Sequence, residues 1–151
     1  MLPPLLRETD GVAAVEFALV SPFFVFAFLA MVDAGLVLNE KLAVDQIMRS
    51  GAHIAMTDPG TQAVYDSIAA TAASEYTVVA APQEATVDQI SLAVTRFFAC
   101  PESPDVSVAA GTTCAGSQPT SAFYRAVATK PYDEILLRYF EVNSVIQVQV
   151  R

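Results

Sequence analysis

An α+β fold is predicted, with a long N-terminal transmembrane helix that continues into a stalk helix and packs on a small antiparallel sheet. Three observations predict it. Val12–Val32 is an apolar run of 21 residues carrying one charge, Glu16. Residues 39–55 place apolar side chains at helical spacing, and later segments switch to strict alternation. Hydrophobic residues make up 54% of the 151, and charged residues only 16%, against about 25% in a soluble domain. The mean hydropathy is +0.44. Eight basic against sixteen acidic residues leave a net charge of −8. That argues against nucleic acid as a partner, because phosphate contacts need a basic face. A membrane-attached, non-enzymatic protein is the class these numbers favour.

The apolar run is long enough to cross a bilayer. As a helix it spans roughly 31 Å, close to the roughly 30 Å hydrocarbon core. Pro22 lies inside it, an interruption that membrane helices tolerate. Asp33 ends the uncharged stretch and Gly35 to Leu38 extend it weakly, so the span is set at residues 12–38. Arg7 votes for a cytoplasmic N-terminus, while Lys41 and Arg49 vote the other way. A secretory signal peptide cut after Ala34 is a rival reading. It fits poorly, because its apolar region would be shorter and its leader more basic.

Asn39 to Ala55 continues as an amphipathic helix. Leu42, Val44, Ile47, Met48, Ile54 and Ala55 form the expected stripe, with Glu40, Lys41, Asp45, Gln46 and Arg49 mostly off it. Thr57–Asp58–Pro59–Gly60 ends this helix, and a second, alanine-rich one is predicted over Thr61–Tyr76. Strands are predicted around Ile90–Thr95, Ala122–Thr129 and Ile146–Arg151, with a weaker one at Thr77–Ala80. The last strand is expected at a sheet edge. Pro131–Phe140, with Ile135, Leu136, Leu137 and Tyr139, is expected as a short helix begun or capped by Asp133–Glu134.

Cys100 and Cys114 bracket a stretch expected to be a loop between two strands. Two thiols without a nearby histidine do not make a four-coordinate metal site, and reactive pairs are spaced more closely. A structural disulfide fits best and would place the C-terminal part outside the cytoplasm; two buried free cysteines are the alternative. His53 reads as a surface or packing residue, the serines have no partner base, and no phosphate loop is present. Neither catalytic residues nor cofactors are expected.

The segment from Asp10 to Phe17 needs its own account. Gly11 precedes the apolar run, and Glu16 is set inside it, where a carboxylate is costly. Glu16 at a helix start also complements the macrodipole, and Gly11 serves equally well as a linker. The wording GVAAVEFALVSPFF, followed by VDAGLVLNEKLAVDQIMRSGAHIA, resembles the TadE/TadF-like family of the Tad (tight adherence, Flp-type) pilus system. Gly11, Glu16, Phe17, Pro22, Asp33, Gly35, Arg49, Gly51 and Ala52 stand at the matching places. The resemblance is strong from Asp10 to about Met56 and holds only in outline beyond.

It implies a pilin-like precursor, a minor pilin or pseudopilin. Residues 1–11 would be a leader removed by a prepilin peptidase between Gly11 and Val12, and residues 39–151 a periplasmic domain. Glu16 would pair with the new Val12 amino group of another copy and set subunit register. Phe17 would be the apolar neighbour read in processing or assembly. The implied partners are the peptidase, other Tad pilus subunits and minor pilins, and inner-membrane lipid. An uncleaved single-pass anchor holding an envelope binding module is the rival in function.

Overall fold

The computed structural model describes residues 9–133 and 138–150. One helix, α1 (Thr9–Ala55), carries the chain through the apolar run and into the domain without a break. A turn leads to α2 (Thr61–Ala72), then β1 (Thr77–Ala80), β2 (Gln89–Cys100), β3 (Ser103–Val108), a 3-10 turn at Ala115–Ser117, β4 (Ser121–Asp133) and β5 (Arg138–Val150). The five strands form one sheet in the order β1-β2-β4-β5, with β3 on the other end of β2 from β1. The fold is α+β with a long N-terminal helix, as predicted.

Pro22 does not break α1. A proline lacks the N–H that would bond the carbonyl four residues back, here that of Ala18. The Ser21 hydroxyl donates to that same carbonyl in a long bond of 3.4 Å, which partly restores what Pro22 removes. Below Asp33 the helix is exposed almost all round. Its most apolar stretch is wholly uncovered by the rest of the chain, so it is not the core helix of a soluble domain.

Above Asp33 one stripe of α1 is buried: Val44, Ile47, Met48, Gly51 and Ala55. Their spacing of three and four residues keeps them on one face. Val64, Ile68 and Ala72 of α2 complete the helical layer. Both helices rest on the sheet through Ile90, Leu92, Tyr124, Ala126, Ala128, Val142 and Val150. Each fully buried aliphatic side chain contributes about 1.5–3 kcal/mol. The helix from residue 39 thus covers the sheet as expected, except that Leu42 points outward and is exposed. The alternation in β4 resolves as Ala122, Tyr124, Ala126 and Ala128 toward the helices, with Arg125, Val127 and Thr129 away from them.

Four expectations are corrected. The sheet is mixed, because β1 runs parallel to β2. A four-residue strand needs a return of only about 13 Å, and residues 81–88 can span roughly 27 Å. The region between the cysteines is not all loop, since β3 pairs antiparallel with β2. Asp105 and the Pro104 carbonyl tie β3 to Arg125 and Gln147, so side-chain bonds hold a segment that has no apolar alternation. Helix α2 stops at Ala72, with the Tyr76 amide already bonded to the Ala72 carbonyl. Pro131–Phe140 is not a helix at its ends. Pro131–Asp133 belongs to β4 and Arg138–Phe140 to β5, with Tyr132 opposite Phe140. Residues 134–137, including Glu134, Ile135, Leu136 and Leu137, lie outside the described residues, as does Arg151. β5 is an edge strand, as anticipated.

Gly51 marks where α1 and α2 approach most closely. A Cβ there would overlap Cγ1 and Cδ1 of Ile68, whereas one on Gly35 would meet nothing. Gly51→Ala is therefore expected to lose about 1–3 kcal/mol through overpacking against a buried isoleucine. Gly35→Ala should be neutral or slightly stabilising, because alanine is the better helix former. Thermal unfolding of the two variants side by side checks both signs.

Candidate functional site

Gly11, Val12, Glu16 and Phe17 all lie in the first turns of α1, and all four are exposed. Val12 and Glu16 are four residues apart, hence one above the other on the same helix face. Gly11 is helical and has open space where a side chain would project. The segment touches nothing else among the described residues, so it is presented outward as an unpartnered helix end with an apolar surround and one carboxylate.

Beside the apolar core, a ladder of polar ties up α1 fixes the domain against this helix. At the lowest rung Asp33, fully buried, accepts from the Tyr132 hydroxyl at 3.4 Å. About two turns higher, Glu40 faces Lys130, with 2.9 Å between Oε1 and Nζ. That contact is one of charge rather than of good hydrogen-bond geometry. Lys130 is almost completely buried and also lies over the Tyr76 ring, 5.2 Å from its centroid. Burial, reinforced by Glu40, raises the Tyr76 phenol well above its ordinary value.

On the β5 side, Lys41 donates to Asp45 at 2.8 Å and to the Asn143 carbonyl at 2.6 Å, and the Ser144 hydroxyl donates to Asp45 at 2.5 Å. Partial burial pushes the Asp45 carboxyl up. The bonds from Lys41 and Ser144 outweigh it and hold the group below its usual value. At the top, the turn after α1 is clamped to the sheet. Arg96 makes a two-pronged bond to Asp58 at 3.0 and 2.9 Å, and the Tyr124 hydroxyl donates to Asp58 at 2.6 Å. The Gly60 amide in turn donates to Tyr124. The Arg96 bonds, then that from Tyr124, hold the Asp58 carboxyl low.

Sequence reasoning read Asp33 as the end of the apolar run and as a place matching the family pattern, and missed Lys130 and Tyr132. A signal for Lys130 was present: it continues the inward set Ala126 and Ala128, where an unpaired ammonium would be costly.

Cys100 and Cys114 form a disulfide with Cα atoms 5.6 Å apart. Glu102 lies beside the two sulfurs. The disulfide consumes both thiolates, and Glu102 already accepts from the Ala115 amide, so the group holds no metal site. His53 is exposed in the last turn of α1. Asp133 ends a strand rather than starting a helix.

Two stability tests follow from these contacts. A carboxyl whose folded value is depressed stabilises the fold above its unfolded value, and that contribution is lost as pH falls through the folded one. Asp45 and Asp58 therefore support the domain at neutral pH, and their contribution begins to fall below pH 3.8 and is lost as pH drops through their depressed folded values. Asp58→Asn should melt lower than the parent at pH 7, with the gap closing toward pH 3, as read by thermal unfolding across pH. Cys114→Ser should lose roughly 2–4 kcal/mol in denaturant titration, and reductant should then have no further effect.

The family model described as TadE-like protein matches residues 11–53. No curated protein and no solved structure matches the chain. The matched stretch begins at Gly11 and ends beside Gly51, covering the uncovered apolar helix and the buried stripe above it. From Gly11 to His53, α1 is a TadE-like segment, with an N-terminal helix capable of anchoring the protein in a membrane by a single pass.

Proposed function

We propose that the chain is a minor pilin or pseudopilin precursor of a Tad-type pilus, cut after Gly11 by a prepilin peptidase. The observation that carries this reading is the start of α1. A glycine stands before an uncovered apolar helix, a glutamate is set five residues later inside that helix, and the segment is TadE-like. In this reading the N-terminus is cytoplasmic and the span crosses the inner membrane. The disulfide-bonded domain is then periplasmic or carried outward in the filament, in keeping with an oxidising compartment for Cys100–Cys114. The protein works by assembly with other pilus subunits, without catalysis or cofactor.

Cleavage converts the Val12 nitrogen to an ammonium one helical turn from Glu16. In a bundle of such helices the ammonium of one copy pairs with Glu16 of its neighbour and sets the axial register. An unpaired charge in that apolar setting costs several kcal/mol, so a misregistered subunit is rejected. The second reading, an uncleaved anchor for an envelope binding module, draws on the unbroken helix through Gly11 and on Glu8 and Asp10 in the leader.

The N-terminus of the mature chain decides between them: Val12 for processing, Met1 for an uncleaved anchor, Gly35 for a secreted protein. Gly11→Leu should leave the precursor intact, because the peptidase must bring its carboxylates against bare backbone; normal processing of this variant would refute the cut site. Glu16→Leu should be processed and remain in the membrane but lose co-purification with other pilus subunits. Phe17→Ala should do so more mildly. Normal assembly of Glu16→Leu at unchanged membrane levels would remove the register role of Glu16.

A further inference from the structure

The lower end of the sheet is carried down to the level where the apolar run stops. Tyr132, near the end of β4, reaches Asp33, the first residue after Val32. Its cross-strand partner Phe140 stands at the same height on the edge strand. Between α1 and β5 a groove of about 360 Å³ opens there, lined by Val37, Leu38, Lys41, Phe140, Glu141 and Val142. Its exposed surface is almost all apolar. Phe140 is 48% exposed and Leu38 64%.

Height identifies the occupant. Val37 is five residues beyond Val32, about 7.5 Å along a helix. The headgroup layer on each side of the hydrocarbon core is roughly 5–8 Å thick. The floor of the groove at Val37 therefore lies within that layer if α1 spans the bilayer at its apolar run, and Lys41 stands about 6 Å higher along the helix. Its apolar surface continues down the lipid-facing side of α1 through Leu38, Ala34 and Met31, which share one helix face and are all exposed. Lys41 stands at the upper rim. Its ammonium has three donors, of which Asp45 and the Asn143 carbonyl take two. The third can reach a lipid phosphate, and Glu141 on the opposite rim complements a headgroup ammonium. An aromatic ring at this depth with a lysine above it is the arrangement that interfacial anchoring favours.

We propose that the groove between α1 and β5 is a second membrane contact, in which Phe140 enters the bilayer interface and a phospholipid occupies the space beside Val37 and Leu38. The domain then leans on the bilayer at its β5 edge instead of standing free on its stalk. This rests on the membrane-spanning part of the reading above and not on cleavage or pilus assembly.

The chain contains no tryptophan, so single tryptophan substitutions give clean probes. The full chain is reconstituted in phosphatidylcholine vesicles with brominated acyl chains, as Phe140→Trp, Val32→Trp and Val106→Trp variants. Val106 lies on β3 at the far end of the sheet. The Phe140→Trp variant should emit to the blue of free tryptophan and lose most of its emission in brominated relative to unbrominated vesicles. Val32→Trp should be quenched and Val106→Trp should not. Water-like, unquenched emission from Phe140→Trp beside a quenched Val32→Trp would overturn the lipid contact while leaving the span intact. Blue-shifted but unquenched emission would also overturn it, since protein would then cover the groove. An unquenched Val32→Trp would remove the span, and the proposal with it.

Discussion

One helix serves two solvents, and the rest of the structure depends on how it makes the change. Below Asp33, α1 is apolar on all sides apart from Glu16 and is not buried by the described residues of the domain. Above it, the same helix keeps apolar side chains on one stripe and spends the other faces on charge. No loop separates the two regimes, so the rigid span and the domain core are one element. Whatever force or register is applied to the lower half passes directly into the sheet. A hinge would have required a glycine or proline at the changeover. Gly35 is there, yet the helix runs through it, because the ties at Asp33 and Glu40 bracket it.

Those ties also fix the height of the sheet on the helix. Apolar packing alone is tolerant of sliding, since one aliphatic stripe resembles itself a turn later. The Glu40–Lys130 pair is not tolerant. A slip of one turn would bring Leu36 or Val44 to the place of Glu40 and strand a buried ammonium, at a cost of several kcal/mol. A buried ion pair is weak evidence for stability; here its effect is on register. Asp45 with Ser144, and Asp58 with Arg96 and Tyr124, repeat the constraint at two further heights.

The same contacts manage the edge of the sheet. β5 is 13 residues long and pairs only with β4 among the described strands, which is the geometry that invites unwanted strand addition. Lys41 takes up the Asn143 carbonyl and Asp45 the Ser144 hydroxyl, so side chains from α1 occupy part of that edge. The edge is thereby partly occupied, while the lower half of α1 stays uncovered by the rest of the described chain.

Much of the fold was legible in the sequence because two periodicities carried it. The uninterrupted apolar run, the stripe from Val44 to Ala55, the Val64–Ile68–Ala72 face and the alternation in β2, β4 and β5 are local patterns, and local patterns report which face is buried. The TadE-like stretch from Gly11 was legible as a sequence pattern, in which Glu16 stands out as a charge in an apolar run. The tertiary structure alone decided what depends on contacts between distant residues. β3 has no alternation and exists because Asp105 and Pro104 find Arg125 and Gln147. Residues 131–133 and 138–140 are strand, not helix, because pairing across β4 and β5 outweighs their local preference. Asp33 became a fully buried rung only when Tyr132, 99 residues later, was brought beside it. Gly51 acquired its reason only when Ile68 closed over it. Spacing along a chain encodes which face is apolar; it does not encode which distant side chain will stand opposite.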